Sequence, residues 1–187
     1  TIRNIGGHGI VVTSYTIDGT EFDGYTMVEG MINNTKAYSY TVGKYPFYVH
    51  SNIIMITDWR LENCIFASEN CTSWMYFDRI SGWYLTDVQC YGKATENGLY
   101  SKFASGAQIE NLTLDGIMSG GLFIDAQIGS VNITNVHINV HPDATEDIYA
   151  IRQVGGSENT NSLTVANVNI NIPNETNPSN LYLHRGS

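Results

Sequence analysis

Ile109-Glu110-Asn111-Leu112-Thr113-Leu114 is the middle row of a repeat. Upstream stand Leu85-Thr86-Asp87-Val88-Gln89-Cys90 and Leu61-Glu62-Asn63-Cys64-Ile65-Phe66. Downstream stand Ile133-Thr134-Asn135-Val136-His137-Ile138 and Val165-Ala166-Asn167-Val168-Asn169-Ile170. Aligned on Asn63, Asp87, Asn111, Asn135 and Asn167, the steps are 24, 24, 24 and 32 residues. The longer step contains a polar insertion, His141 to Asn161, around Pro142, Asp143, Gly155 and Gly156. Apolar residues recur two positions before the Asn/Asp and one and three positions after it. Two period-2 strands therefore meet at a bend that the Asn or Asp occupies. Stacked turns would give three inward columns, headed by Leu61, Cys64 and Phe66. The bend residues would form a hydrogen-bonded ladder, drawn in close to the core.

Further strands lie ahead of each bend: Trp74-Met75-Tyr76-Phe77, Gly98-Leu99-Tyr100-Ser101, Gly121-Leu122-Phe123-Ile124 and Ile148-Tyr149-Ala150-Ile151. An earlier turn through Tyr38 to Val42 places Ser39 at the bend, 24 residues before Asn63, with Phe47-Tyr48-Val49 following. Short strands at a constant period, with no amphipathic helix, predict an all-β chain wound as a right-handed parallel β-helix of 24-residue coils. The predicted divisions are a β-rich lead-in over 1–36, the β-helix over 37–172, and an exit segment over 173–187. Pro173 and Pro178 end the strand pattern there, because proline cannot donate to a ladder.

Composition agrees with sheet. Hydrophobic residues make up 42% of 187 positions and charged ones 14%, and there are 12 tyrosines. Nine Lys+Arg against 18 Asp+Glu give a formal charge of −9. Such a chain is a poor partner for nucleic acid or anionic membranes, whose affinity comes from Lys and Arg, and no apolar run is long enough for a membrane helix. The chain begins at Thr1 without methionine, which reads as a piece of something longer. Cys64, Cys71 and Cys90 read as reduced small hydrophobes. His8, His50, His137, His141 and His184 share no metal-site spacing, and neither a metal nor another cofactor is expected.

A solenoid carries function on its outer faces. If Met75, Leu99, Leu122 and Ile148 point inward, then Tyr76, Tyr100, Phe123 and Tyr149 form an outward stripe. Such a stripe suits a glycan or a subunit interface, and a shifted phase would make it core instead. Trp59 and Trp83 share an apolar column with Ala107, Val131 and Leu163 and read as buried. Two carboxylate pairs are candidates for acid–base hydrolysis, Glu62 with Glu110 and Asp78 with Asp125, each two coils apart. The second pair has Lys102 between its members, which is also the pattern of a solvated charge ladder. Of five Asn-x-Ser/Thr sequons, Asn111 coincides with a bend, where burial would block a glycan.

The bend Asn/Asp with its aliphatic columns, over about residues 37–172, resembles the pectin-lyase-like β-helices of bacteriophage tail spikes and neck appendages of the Bacillus podovirus type. The resemblance implies a homotrimeric virion spike that attaches to a host-surface polysaccharide or teichoic acid. It also implies release from a C-terminal chaperone by self-cleavage after a serine, for which Ser187 is the candidate boundary. Alternatives within the same fold are a polysaccharide- or teichoic-acid-degrading enzyme and a bacterial adhesin.

Overall fold

The computed structural model describes residues 1–4, 7–13, 27–50, 56–102, 105–127, 129–145, 147–156, 162–173 and 181–185. Among these residues there are strands and no helix. The strands are β1 Ile2–Asn4, β2 Ile10–Thr13, β3 Met27–Asn33, β4 Lys36–Ser39, β5 Phe47–His50, β6 Ile56–Glu62, β7 Ile65–Asp78, β8 Ile80–Ser81, β9 Tyr84–Lys102, β10 Ala107–Ile117, β11 Gly120–Gln127, β12 Val131–Val140, β13 Ile148–Gly156, β14 Leu163–Asn171 and β15 Leu181–Arg185.

All strand pairs among them are parallel, and they follow three ladders. The first runs β3–β6–β9–β10–β12–β14, with Ile32 beside Leu61, then Leu85, Ile109, Ile133 and Val165. The second runs β1–β4–β7–β9–β10–β12–β14, with Ala37 beside Phe66, then Cys90, Leu114, Ile138 and Ile170. The third runs β2–β5–β7–β9–β11–β13–β15. The long β9 serves all three. β1, β2 and β3 pair into the same ladders, so the described part of the lead-in shares the sheet, and β15 brings the exit segment back to the third ladder.

Alternation along each strand sends one set of side chains inward, where Leu61, Phe66, Phe77, Trp83, Leu112, Ile124 and their neighbours are fully buried. The three cysteines lie in this core as free thiols, and burial raises their pKa values, that of Cys71 to about 12. Cys71, which the repeat left unplaced, pairs in register with Ala94. Trp83 is wholly buried, Trp59 partly so. Val165 is an exception at 37% exposed, because the first and second ladders stop at β14 among the described residues and nothing there lies over it.

The corners explain the repeat. Asn34, Asn63, Asp87, Asn111, Asn135 and Asn167 all have φ between 50° and 55°. That left-handed backbone costs most L-residues about 1–2 kcal/mol, and Asn and Asp tolerate it best after glycine. The first bend is therefore Asn34, 29 residues before Asn63, and the expected bend residue Ser39 is instead buried in β4 with its hydroxyl donating to the Gly7 carbonyl at 2.9 Å. The corner side chains lie on the outside of the bend and are exposed, contrary to the expectation of burial, so Asn111 is not hidden from solvent. They do bond along the column: Asn111 Nδ2 donates to Asp87 Oδ1 at 3.0 Å, Asn135 to Asn111 at 3.1 Å and Asn167 to Asn135 at 3.0 Å.

A second left-handed column stands five residues before the first: Glu29, Asp58, Gly82 and Gly106, with φ between 57° and 62°. A third feature is glycine-only. Gly92 and Gly116 have φ of 109° and 112°, where the second ladder slips register, and a Cβ on either would collide with the carbonyl oxygen of the rung below.

Candidate functional site

The outer face of the third ladder gathers more reactive side chains than either other face. In each rung two residues point outward beside buried partners. They are Tyr48 and His50 on β5, Tyr76 and Asp78 on β7, Tyr100 and Lys102 on β9, Phe123 and Asp125 on β11, and Arg152 and Val154 on β13. The aromatic file stacks ring on ring, with centroids 5.2 Å apart for Tyr48–Tyr76 and 5.0 Å for Tyr76–Tyr100. Phe123 then turns edge-on, 5.3 Å from Tyr100. Below Tyr48 the stack continues to His8 at 4.4 Å.

Tyr76, Tyr100 and Phe123 thus stand in consecutive register, and Tyr48 belongs with them. Tyr149 does not. It pairs with Gly120, and Arg152 takes the place beside Phe123, 29 positions on, where the two preceding steps are 24 and 23. Part of the insertion, residues 141–147, falls ahead of β13 and pushes the register along. Tyr149 rejoins the group through Arg152, whose guanidinium carbon lies 4.9 Å from the Phe123 ring centre and 5.3 Å from that of Tyr149. These three residues, with Glu96 and Asn97, line a cavity of about 250 Å³.

Because the tyrosine rings lie face to face, they cover one another's flat surfaces and turn edges and hydroxyls outward. That arrangement favours edge and hydroxyl contacts over contacts with flat ring faces. Burial raises the Tyr48 and Tyr76 pKa values, with Asp78 adding to the effect, and Tyr76 is pushed up to about 12. Tyr100 is raised too, by burial first and then by its hydrogen bond to Asp125.

Asp78, Lys102 and Asp125 stand in register, as the repeat predicts. His50 Nδ1 lies 3.0 Å from Asp78 Oδ2, and the Tyr100 hydroxyl donates to Asp125 Oδ2 at 3.0 Å. Asp78 Oδ1 is buried with no hydrogen-bond partner among the described residues. Two strand spacings put the two backbones about 9.6 Å apart, near the range of inverting glycosidases. Glu62 and Glu110 flank Thr86 on the first ladder, Glu62 half-buried and Glu110 exposed. Neither pair lines the cavity at Phe123, Tyr149 and Arg152. Ser187 lies outside the described residues, and no group of three His, Cys, Asp or Glu suited to a metal occurs among them.

A larger groove, about 540 Å³, opens on the first ladder between Glu29, Asp58, Arg60 and Tyr84. Glu29 and Asp58 occupy the second left-handed column on adjacent rungs, with backbones one strand spacing, about 4.8 Å, apart. Arg60 lies over the Tyr84 ring at 5.2 Å and makes no ion pair with either acid among the described residues. Alternation gave no reason to single these acids out. Their signal was a column five residues before each bend that reads Glu29, Asp58, Gly82, Gly106.

The chain matches no family model, no curated protein and no solved structure.

Proposed function

We propose that this chain is a segment of right-handed parallel β-helix that serves as an attachment module, part of a homotrimeric viral tail spike or neck appendage that contacts a host-surface polysaccharide or wall polymer. Three ladders visited in constant order, with left-handed residues recurring at the same places from rung to rung, support the winding. The observation that carries the function is the continuous outer file Tyr48–Tyr76–Tyr100–Phe123 with its bonded carboxylates. Its residues are immobilised by stacking, so a partner engages them with little further loss of rotamer freedom. Tyrosine edges and hydroxyls suit both a neighbouring subunit and the hydroxyls of a sugar chain.

Light scattering is expected to give three times the chain mass, and pull-down on bacterial wall polymer is expected to retain the protein. Tyr76→Ala with Tyr100→Ala should weaken one or both. A monomer at micromolar concentration that ignores the polymer overturns the reading.

A polysaccharide hydrolase is the second reading, favoured by Glu29 and Asp58 in the groove of about 540 Å³. Their rung separation is near the roughly 5–5.5 Å of retaining glycosidases. Release of reducing ends from wall polymer, abolished in Glu29→Gln and Asp58→Asn, would support it. Release lost instead in Asp78→Asn and Asp125→Asn would move the chemistry to the third ladder.

A further inference from the structure

On the outer face of the second ladder, Tyr38, Ala67 and Tyr91 stand in register on three successive rungs. A cavity of about 270 Å³ opens there, lined by both tyrosines together with Tyr40, Ala67 and Glu69. Tyr40 and Tyr91 are 47% and 37% exposed, so the opening is accessible from solvent. The third ladder supplies the ruler for this gap. Where every rung carries a ring, neighbours sit 5.0–5.2 Å apart. With alanine in the middle rung, the flanking tyrosines are two strand spacings apart, about 9.6 Å. At the ring spacing of the third ladder, that backbone separation leaves room for one ring between the two tyrosines.

We infer that the Tyr38–Ala67–Tyr91 slot is a binding site for a single neutral pyranose of gluco configuration, sandwiched between the two tyrosines. A guest midway would lie about 4.8 Å from each ring, the spacing the protein uses for its own ring pairs. A β-glucopyranoside has every substituent equatorial, so both faces present only C–H to the aromatic surfaces. An axial hydroxyl, as in galactose, would face one tyrosine without a partner, at the cost of an unmade hydrogen bond. The rim supplies acceptors for the equatorial hydroxyls in the Glu69 carboxylate and the Tyr40 hydroxyl. The same carboxylate, with a net charge of −9, disfavours uronates, phosphates and nucleotides. The Tyr91 hydroxyl is held by Gln89 Oε1, which fixes one wall.

This slot is separate from the third-ladder face, so loss of trimer or polymer binding through Tyr76 and Tyr100 leaves it testable. The assay is saturation-transfer NMR on the whole chain with methyl β-glucopyranoside, methyl β-galactopyranoside, glucuronate and adenosine. The glucoside is expected to give the strongest signal. Tyr91→Ala should weaken it about five- to ten-fold, the worth of one stacked face. Ala67→Tyr completes the aromatic file. It should abolish glucoside binding while leaving the melting temperature unchanged or raised. Unaltered binding in Ala67→Tyr or in Tyr91→Ala, galactoside binding equal to glucoside, or a stronger response to adenosine or glucuronate would each overturn the inference.

Discussion

Asp87 is the one carboxylate in a corner column otherwise made of asparagine. It accepts from Asn111, but its side chain has no N–H to pass on, and no side-chain bond joins it to Asn63. Asp87→Asn restores the donor and should raise stability by about 0.5–1 kcal/mol, checked by thermal melts. The gain should persist in high salt, which separates it from removal of a negative charge. Asn135→Ala should lose more, about 1–3 kcal/mol, because it cuts two bonds of the column and puts alanine in the left-handed backbone. The tyrosines give a pH prediction. With the Tyr76 pKa raised from 10.0 to about 12, the folded state holds its proton where the unfolded chain has lost it. The contribution is complete below pH 10 and is lost as pH rises toward 12. Denaturant midpoints should fall over that window, less steeply in Tyr76→Phe. The bend column was legible because left-handed φ leaves few residues to choose from. Its exposure was not, since alternation says which way a strand residue points and nothing about a residue at the corner.

Gly92 and Gly116 show what a rung demands of its bends. Their φ values lie beyond the ordinary left-handed basin, and each packs against the carbonyl of the rung below. Gly116→Ala should cost about 2 kcal/mol or more from backbone strain and the forced shift of Gly92, and urea titration measures it. The three buried columns of the first and second ladders could be read from spacing alone, since period 2 fixes the inward set once the bend is placed. The third ladder was harder. Its strands follow the corner where the insertion begins, so equal spacing failed between β11 and β13 and Tyr149 stood in for Arg152. Ser39 was misplaced for a similar reason, a 29-residue step between Asn34 and Asn63 measured with a 24-residue rule. The Glu29 and Asp58 groove escaped because both acids sit at a kink inside a strand, off the alternation used to find candidates.

Parallel pairing binds each rung only to the one before and the one after, so extra length at a corner need not disturb distant rungs. The stretch 141–147 illustrates this. On one side of it Val136 keeps step with Val168, and on the other Phe123 keeps step with Arg152. Ala144 is tucked in and Asp143 is tethered to Lys93 at 3.3 Å, while Pro142 faces solvent. A foreign peptide spliced beside Pro142 should therefore be displayed as a tethered loop on an unchanged scaffold. That corner is where evolution, or an engineer, can vary the molecule's outward identity without rewriting its interior.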